Sequence, residues 1–319
     1  MKIIVPPIKS QGIKTKLVPA IVSILPEYEG RWVEPFLGTG VVAFNVRPEN
    51  AVLNDINPHI IRFYRAIQEG VINKYTVREY LERAGAKLAA AGDNGYDYFR
   101  EVRDRFNEYH DPLDFLFLSR AGFNGMMRFN KKGQWNVPFC KKPGRFSKSY
   151  ITKIVNQVDA VSKVIKPQWI FTCSSFEASI EAAGAGDIVY CDPPYFGRYT
   201  DYFNSWTEED ETKLQQLLLT TKARFILSTW YGNSHRMNPM IDQVWKGFNI
   251  TTKEHFYHTG GKLENRNSMI EALVYNYDAP SGPKKTEVFA YKSDTSRKND
   301  NEQLTIFEHL ENVTAAVRG

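Results

Sequence analysis

The sequence contains little cysteine, and this scarcity excludes two classes of protein. Only Cys140, Cys173 and Cys191 occur among 319 residues, and no two of them have CxxC spacing. An odd number of cysteines without paired spacing is typical neither of a disulfide-stabilised secreted domain nor of a zinc site. We therefore predict a reducing compartment, the cytoplasm, and no bound metal.

Long apolar runs are also missing. No stretch reaches the roughly 18 apolar residues of a membrane-spanning helix, and the N-terminus lacks the apolar core of a signal peptide. Hydrophobic residues at 42% and aromatic residues at 13% are values of globular proteins, and the length is sufficient for two domains. The sequence predicts a globular protein that is neither membrane-bound nor exported by a signal peptide.

Positive charge is concentrated in residues 120–166, which we call the basic segment. The whole chain has a net charge of +5, but this segment holds eleven Lys or Arg and one acidic residue, Asp159, and is therefore +10 by itself. Such a region attracts a polyanion. Aromatic residues that could stack on bases are interleaved through it: Phe123, Phe129, Trp135, Phe139, Phe146 and Tyr150. We predict a nucleic-acid partner; a solvated lysine-rich face is the alternative.

The order of predicted elements indicates an α/β fold. Strand-like runs occur at residues 31–36, 51–54, 169–172, 187–191, 224–228 and 270–276, whereas 72–118 has mainly helical spacing and 130–134 has the composition of a hairpin turn. This order predicts a doubly wound, Rossmann-like sheet over residues 1–65 and 166–278. An inserted, mostly helical domain with a β-hairpin is expected over 66–165, followed by a polar tail over 279–319.

A glycine turn follows the first predicted strand. Gly38-Thr39-Gly40-Val41-Val42-Ala43 fits the pattern G-x-G-x-x-A, whose glycines let a nucleotide-like cofactor approach the backbone. Asp55 ends the second strand, where its carboxylate can accept hydrogen bonds from the ribose hydroxyls of an adenosine cofactor. The alternative for Asp55 is a cap of the helix that begins near Asn57. The spacing alone does not distinguish NAD from other adenosine cofactors.

The tetrapeptide Asp192-Pro193-Pro194-Tyr195 follows the strand at 187–191. A carboxylate and a proline-fixed carbonyl could accept the two hydrogens of an exocyclic amino group and direct its lone pair toward an electrophilic methyl group, while the tyrosine ring stacks on an extruded base. The alternative is an ordinary proline-stiffened turn. The aromatic-rich loop 196–206 that follows is expected either to close over the base or to pack in the core.

Four motifs in this order resemble the DNA adenine methylases of the Dam type, the D12 class of the alpha group. The motifs are Pro6–Leu17, Glu34–Gly40, Phe123–Met126 and Asp192–Tyr195, and they look closest to modification methylases of the EcoRV type. The resemblance implies transfer of a methyl group from S-adenosylmethionine to adenine N6 in double-stranded DNA of a bacterial or phage-infected cell. It further implies base flipping, a monomer, a GAT-containing site such as GATATC and, as one candidate partner, a restriction endonuclease.

The resemblance also assigns roles to individual residues. Catalysis is assigned to Asp192, Pro193, Pro194 and Tyr195, and cofactor binding to Lys14, Glu34, Phe36, Gly38, Gly40, Asp55 and Asp192. Lys14 and the glycine turn would hold the methionine end, Phe36 the adenine and Asp55 the ribose. DNA binding is assigned to Lys9, Phe123, Asn124, Arg128, Pro138, Lys141, Lys142 and Arg145. Ser175 is a departure, because some relatives have an aspartate there that faces the cofactor adenine.

Physical reasoning supports part of the DNA assignment. Arg128 could bind guanine O6 and N7, Asn124 a base edge or phosphate, and Phe123 could fill the place of the flipped base. The alternatives are a core position for Phe123 and a surface ion pair for Arg128.

Other functions are alternatives to adenine methylation. Cytosine-N4 methylation attacks a similar amine, but its enzymes usually have serine in place of Asp192. An RNA or free-nucleotide methylase, an NAD-dependent dehydrogenase and a non-catalytic DNA-binding protein are more distant alternatives. The tail sequence Gln303-Leu304-Thr305-Ile306-Phe307 resembles peptides that bind the bacterial sliding clamp; the alternative is a short amphipathic segment that packs on the rest of the protein.

Overall fold

A computed structural model of the chain describes residues 2–195, 206–233, 237–256 and 268–280. The strands are β1 (Trp32–Glu34), β2 (Ala51–Asn54), β3 (Ile170–Thr172), β4 (Ile188–Cys191), β5 (Arg224–Asn233), β6 (Asn249–Phe256) and β7 (Ser268–Tyr275). The helices are α1 (Val18–Ile24), α2 (Ala43–Val46), α3 (Pro58–Gln68), α4 (Lys74–Ala90), α5 (Tyr96–Tyr109), α6 (Pro112–Ala121), α7 (Lys148–Ser162), α8 (Phe176–Glu181), α9 (Glu208–Thr220) and α10 (Pro239–Gln243).

The strands form one seven-stranded sheet in the order β3-β2-β1-β4-β5-β7-β6. The pairs from β3 to β5 are parallel, and β7 is antiparallel to both β5 and β6. The strand order reverses between β1 and β4, which is where a doubly wound sheet binds its ligand. The prediction of a Rossmann-like α/β sheet is confirmed.

The central strands β1 and β4 are buried on both faces. All three residues of β1 and all four of β4 are buried, as expected where helices cover both faces of a parallel sheet. Strand β6 was not predicted. It is an edge strand whose centre includes Lys253 and Glu254, and charged residues of this kind protect an open edge while weakening the strand pattern.

Asn57, rather than Asp55, caps helix α3. The Asn57 side chain accepts a hydrogen bond from the His59 N–H, and Pro58 occupies the first helical position, where its missing N–H is not needed. Asp55 therefore remains at the end of β2 and faces the glycine turn. Helix α2 begins at Ala43, the last residue of the G-x-G-x-x-A pattern.

Helices α4 to α7 lie between α3 and β3 in the sequence and share one hydrophobic core with the sheet. Phe63 packs edge to face with Phe115 of α6, at a ring-centroid distance of 6.1 Å. Its neighbour in the same helix, Tyr64, stacks on Phe171 of β3 at 6.2 Å. Residues 1–284 form one compact unit. The inserted domain over 66–165 stays a prediction, and the predicted tail lies outside the described residues from residue 281 onward.

The predicted hairpin consists of a turn and isolated bridges. Phe129 pairs with Trp135, and Gly122 pairs with Phe139. The Asn130 side chain closes the turn by accepting hydrogen bonds from the N–H groups of Lys132 and Gln134, at 2.9 and 3.0 Å. The side chain of Asn107 holds the hairpin against α5 by accepting a 2.7 Å bond from the Trp135 N–H.

Among the described residues, no helix combines the length and the apolar composition of a membrane span.

Candidate active site

A cavity of about 330 Å³ lies at the carboxyl ends of β1, β2, β3 and β4. It is lined by the glycine turn, by residues that follow β2 and β3, and by the start of the Asp-Pro-Pro-Tyr motif. The lining residues include Lys14, Glu34, Phe36, Gly38, Asp55, Asn57, Ser175, Phe176, Asp192, Pro194 and Trp206. The sheet topology therefore brings the two motifs, more than 150 residues apart in the sequence, to one cavity.

The conformation of the glycine turn explains its sequence. Gly38 and Gly40 have φ values of +50° and +73°, which glycine adopts readily. A Cβ atom at Gly40 would lie 2.5 Å from Cε2 of Phe44, whereas one at Gly38 would meet no atom within 4 Å. Gly40 thus allows close packing of the turn on α2, and Gly38 leaves the backbone open toward the cavity.

Asp55 fastens the glycine turn to β2. Its Oδ2 accepts a 2.7 Å hydrogen bond from the Gly38 N–H, and its Oδ1 accepts a 2.8 Å bond from the Asn57 N–H. Burial raises the pKa of Asp55 to about 6, although the two backbone bonds act in the opposite direction. Each oxygen retains a lone pair, so this carboxylate can hold the turn and still accept from a ligand.

Glu34 lies at the end of β1 and is 2% exposed. Its Oε2 accepts a 2.9 Å hydrogen bond from Trp32 Nε1. The pKa of Glu34 is raised to about 8, mainly by burial, and the negative charges of Asp192 and Asp55 contribute in the same direction. Three carboxyl groups therefore influence one another across the ends of β1, β2 and β4.

An ion pair joins the N-terminal segment to the Asp-Pro-Pro-Tyr motif. Lys14 Nζ lies 2.8 Å from Asp192 Oδ1 and donates to the carbonyl oxygen of Gly12 at 3.1 Å. The same ammonium lies 5.0 Å from the centre of the Tyr195 ring. Burial raises the pKa of Asp192 to about 6 while Lys14 lowers it. Lys14 thus lies at the predicted catalytic carboxylate, in addition to lining the cavity.

Aromatic rings form another wall of the cavity. Phe36 stacks on Phe176 at a centroid distance of 5.3 Å and meets Trp206 edge to face at 5.6 Å. Phe36 was predicted to contact the cofactor, but Phe176 and Trp206 were not assigned to it. Phe176 could have been found, because it directly follows Ser175 near the carboxyl end of β3, where ligand-binding residues collect.

The Asp-Pro-Pro-Tyr motif is described up to Tyr195. Pro193 is buried, and Asp192, Pro194 and Tyr195 are half-buried. The loop predicted to close over the base lies largely outside the described residues, at 196–205.

The turn Phe123–Gly125 projects Phe123, whose side chain is 47% exposed. A core position for Phe123 is therefore excluded. Lys9 packs beneath this turn: a Cβ at Gly125 would lie 2.9 Å from Cδ of Lys9. Asn124 is exposed with φ +51°, and the Pro138 carbonyl accepts from the Phe123 N–H at 2.9 Å.

The other aromatic residues of the basic segment have a different role. Phe129, Trp135, Phe139 and Phe146 are 1 to 8% exposed and belong to the core. The expectation that the interleaved aromatic residues stack on bases is wrong for these four, because they attach the hairpin to α3, α5 and α6.

The predicted DNA-binding cations differ in exposure. Lys141 and Lys142 are exposed. Arg128 donates from Nε to Asn136 Oδ1 at 2.9 Å, which fixes the guanidinium along the hairpin. Arg145 is half-buried and donates from Nε to the carbonyl oxygen of Arg120 at 3.0 Å. The structure brings Lys9 and Arg145 to the last turn of α6, where they bond to Ser119 and Arg120, whereas Arg128 lies on the hairpin.

The described residues contain no cluster of three or more His, Cys, Asp or Glu side chains that could hold a metal ion. The three cysteines have free thiols.

The fold and the cavity define the chain as an α/β protein with a nucleotide-sized site at the reversal of its strand order. Residues 10–259 match the family of D12 class N6 adenine-specific DNA methyltransferases, and the chain belongs to this family. This confirms the prediction of an adenine-specific DNA methyltransferase and disfavours a dehydrogenase. Closeness to the EcoRV type stays a prediction.

Curated relatives agree with the family. The chain is 30% identical to the type II methyltransferase M1.LlaDCHI of Lactococcus lactis subsp. cremoris, over 84% of this chain and 94% of that protein. It is 32% identical to the DNA adenine methylase of Vibrio cholerae serotype O1 (strain ATCC 39541 / Classical Ogawa 395 / O395), over 69% of this chain and 78% of that protein. It is 33% identical to the DNA adenine methylase of Escherichia coli strain K12, over 66% of this chain and 74% of that protein.

Proposed function

We propose that the protein transfers the methyl group of S-adenosylmethionine to N6 of an adenine extruded from double-stranded DNA. The observation that carries this proposal is the convergence of the glycine turn, Asp55 and the Lys14–Asp192 ion pair on one cavity. A carboxylate for the target amine and a surface for an adenosine cofactor are thereby within one site.

The residues of the cavity fit this cofactor. Gly38 exposes backbone, the Asp55 carboxylate can accept from ribose hydroxyls, and Phe36 and Phe176 offer ring faces for a purine. The volume of about 330 Å³ is within the range of small-molecule sites. When bound, S-adenosylmethionine supplies a methyl group made electrophilic by its sulfonium. Ser175 offers a hydroxyl where some relatives have a carboxylate.

Asp192 has the central chemical role in this proposal. The adenine amino group is a weak nucleophile because its lone pair is delocalised into the ring. Asp192 and the Pro193 carbonyl would each accept one N6 hydrogen bond, which localises the lone pair and orients it. Asp192 must be ionised to accept the proton, and a pKa of about 6 satisfies this near neutral pH. Tyr195 would stack on the base, and Pro194 would keep the turn rigid.

The Lys14 ammonium has two proposed roles. It neutralises Asp192 in the free protein, and it lies close enough to the cavity to bind the carboxylate end of the cofactor. Movement of the ammonium from Asp192 to the cofactor would release the carboxylate oxygen for the adenine amine. Cofactor binding would then prepare the catalytic group.

DNA recognition is proposed for the basic segment together with Lys9. Exposed Phe123 would fill the space of the extruded base, Arg128 would read a guanine, and Asn124 a base edge. Lys141, Lys142 and Arg145 would contact phosphates, with Pro138 supporting the turn. We assign these residues to an inserted recognition domain over 66–165.

Further partners follow from the relatives and the tail. The name of the Lactococcus relative marks it as a type II methyltransferase. We propose that the present protein likewise protects a GAT-containing site from a partner endonuclease. We further propose that it acts as a monomer in the cytoplasm. Gln303, Leu304 and Phe307 lie outside the described residues, and we propose that they bind a sliding clamp. Equal retention on immobilised clamp by wild type and the double variant Leu304→Ala, Phe307→Ala would contradict this.

Transfer of labelled methyl groups tests the main proposal. Wild-type protein, S-adenosylmethionine labelled on the methyl group and unmethylated plasmid should give N6-methyladenine after digestion to nucleosides. Label in N4-methylcytosine, or transfer only to RNA or free nucleotides, would refute it. Binding of labelled S-adenosylmethionine but not labelled NAD⁺ is the expected companion result.

A further inference from the structure

Three cationic side chains surround the hydroxyl group of Tyr150 on α7. Arg145 Nη2 lies 3.1 Å from this hydroxyl, and its guanidinium carbon lies 4.7 Å from the ring centre. The guanidinium carbon of Arg120 lies 5.9 Å from the same centre. The Lys9 ammonium faces the hydroxyl from the N-terminal segment. We call Lys9, Arg120, Arg145 and Tyr150 the Tyr150 cluster.

The cluster carries three positive charges without a matching carboxylate. No ion pair between described residues includes Lys9, Arg120 or Arg145. Burial raises the pKa of Tyr150, but the charges of Arg120, Lys9 and Arg145 outweigh it and the net shift is downward. Burial lowers the pKa of Lys9, and the two arginines lower it further. Partly buried cations cost free energy through desolvation and mutual repulsion, and a bound anion offsets that cost.

The hydrogen bonds of the cluster also favour an anion. Arg145 donates to the Tyr150 hydroxyl, and an ammonium or guanidinium has no lone pair with which to accept the phenolic proton in return. The hydroxyl proton is therefore directed to some acceptor other than these three side chains. Donors exceed acceptors in the cluster, so a group with several acceptor oxygens would complete it.

Arg120 forms the fixed base of the cluster. It is 3% exposed, and it donates to the carbonyl oxygens of Pro6 and Pro7 and to Gln157 Oε1. Its charge contributes to the local potential, but its Nε and Nη2 groups are already used in these bonds and its side chain is buried. The more accessible donors belong to Lys9, Arg145 and Tyr150.

The position of the cluster connects it with DNA. The Lys9 side chain extends from the cluster to the turn Phe123–Gly125, against Gly125. That turn carries the exposed Phe123 ring. A ligand on the cluster would therefore lie next to the residue proposed to fill the space of the flipped base.

We propose that Lys9, Arg145 and Tyr150 together bind one phosphate of the DNA backbone beside the extruded base. A phosphodiester has one negative charge and two non-bridging oxygens, which match the charge and the excess donors of the cluster. The inference rests on the proposed function and adds Tyr150, a residue without charge, to the DNA-binding surface. A clamp on this phosphate would hold the strand at the point where the base leaves the stack.

Two variants and a matched control test this site. Tyr150→Phe keeps the ring and the net charge but removes the phenolic donor, and Arg145→Gln removes one charge. Lys148→Gln removes one charge from an exposed position of the same helix, outside the cluster. Binding is measured by fluorescence anisotropy with a duplex that the wild type methylates, over a series of NaCl concentrations, with thermal unfolding as the control for folding.

We expect roughly tenfold weaker duplex binding for Tyr150→Phe, with an unchanged salt slope because no charge is lost. Arg145→Gln should weaken binding by at least as much and reduce the slope of log K against log salt by about one unit. Wild-type affinity in both variants would overturn the proposal. So would an equal loss in Lys148→Gln and Arg145→Gln, since a diffuse basic surface would then suffice.

Neutral methylphosphonates, placed one at a time along the duplex, locate the contact. At one position near the methylated adenine, neutralisation should weaken wild-type binding but have little further effect on Arg145→Gln or Tyr150→Phe. Additive losses at every position, or coupling to a base substitution instead, would overturn the phosphate assignment. Binding and methyl transfer are measured separately: this inference fails on the binding results above even where the wild type methylates adenine, whereas the proposed function fails if the wild type forms no N6-methyladenine in DNA.

Discussion

The cavity at the carboxyl ends of the strands and the basic segment differ in how they hold charge. At the cavity, Glu34, Asp55 and Asp192 are buried or half-buried and their pKa values are raised. One ammonium, that of Lys14, is paired with Asp192. In the basic segment the only acidic residue is Asp159, and lysines 141 and 142 are exposed.

This contrast separates two tasks. Proton acceptance requires a carboxylate that is held rigidly and partly removed from water, because water would weaken its hydrogen bonds to the amine. Attraction of DNA requires cations that can reach phosphates and release counterions. We therefore expect variants of the cavity carboxylates to lose methyl transfer while DNA binding persists. Variants of the basic segment should lose DNA binding while the carboxylate chemistry of the cavity is retained.

The largest expected effect is that of Asp192→Asn. An amide oxygen accepts a hydrogen bond less strongly than a carboxylate and cannot take up a proton, so the rate of methyl transfer should fall about 10³-fold or more, while duplex affinity stays near that of the wild type. Single-turnover transfer and anisotropy measure the two quantities. The exposed Asp104→Asn serves as control. A parallel loss of DNA affinity in Asp192→Asn would break the separation between the two regions.

Removal of the Lys14 ammonium should destabilise the protein at the cavity. Lys14→Met leaves Asp192 without its partner, and breaking a buried ion pair from one side costs about 3 kcal/mol of unfolding free energy. The double variant Lys14→Met, Asp192→Asn should recover most of that loss. Chemical denaturation measures both. If Lys14→Met and the double variant are equally stable, the ion pair between Lys14 and Asp192 does not stabilise the protein.

Lys14→Met should also change the pH dependence of the methyl-transfer rate. Lys14 lowers the pKa of Asp192 from the level that burial would set, so the acidic limb of the wild-type rate should lie near pH 6, with activity lost below it as Asp192 gains a proton. In Lys14→Met this limb should move to higher pH. An unmoved limb would assign the ionisation to another group.

Recognition should respond most clearly at Arg128. Arg128→Ala is expected to reduce discrimination at one base pair by about 2 kcal/mol, without changing affinity for the cofactor. Lys132→Ala, an exposed neighbour on the hairpin turn, should weaken binding to all sequences uniformly. Competition with duplexes altered at single positions measures this. Unchanged discrimination in Arg128→Ala would move base reading to another residue.

A further expected effect concerns Glu34 and the dependence of stability on pH. Its folded-state pKa is raised from 4.5 to about 8, so the folded state binds the proton more tightly than the unfolded state does. Its contribution is therefore present below pH 4.5 and is lost as pH rises to about 8, by at most about 1.4 kcal/mol per pH unit. Glu34→Gln should flatten the profile of unfolding free energy, and the exposed Glu181→Gln should not.

The two regions also differed in how far the sequence predicted them. The glycine turn, Asp55 and Asp192 follow buried strands, and parallel topology brings the ends of such strands together, so their convergence was predictable. The ion pair between Lys14 and Asp192 was not, because the segment that carries Lys14 has no periodic pattern that fixes its position.

In the basic segment, composition indicated a partner but not the orientation of its side chains. Phe123 and Phe129 are six residues apart, yet one is exposed and the other buried. The difference arises from the turn at Gly125 and the bridge of Phe129 to Trp135, and both are set by tertiary packing. The Tyr150 cluster was missed for a similar reason, since its members come from three separate parts of the chain.

Fluorescence of 2-aminopurine placed at the mapped target adenine tests the central claim, extrusion of the base into the site of Asp192. Wild type and Asp192→Asn should both raise the emission on binding, because the base leaves the stack in each, but only the wild type should methylate the matching adenine duplex. Unchanged emission with a wild type that methylates the duplex would contradict the account.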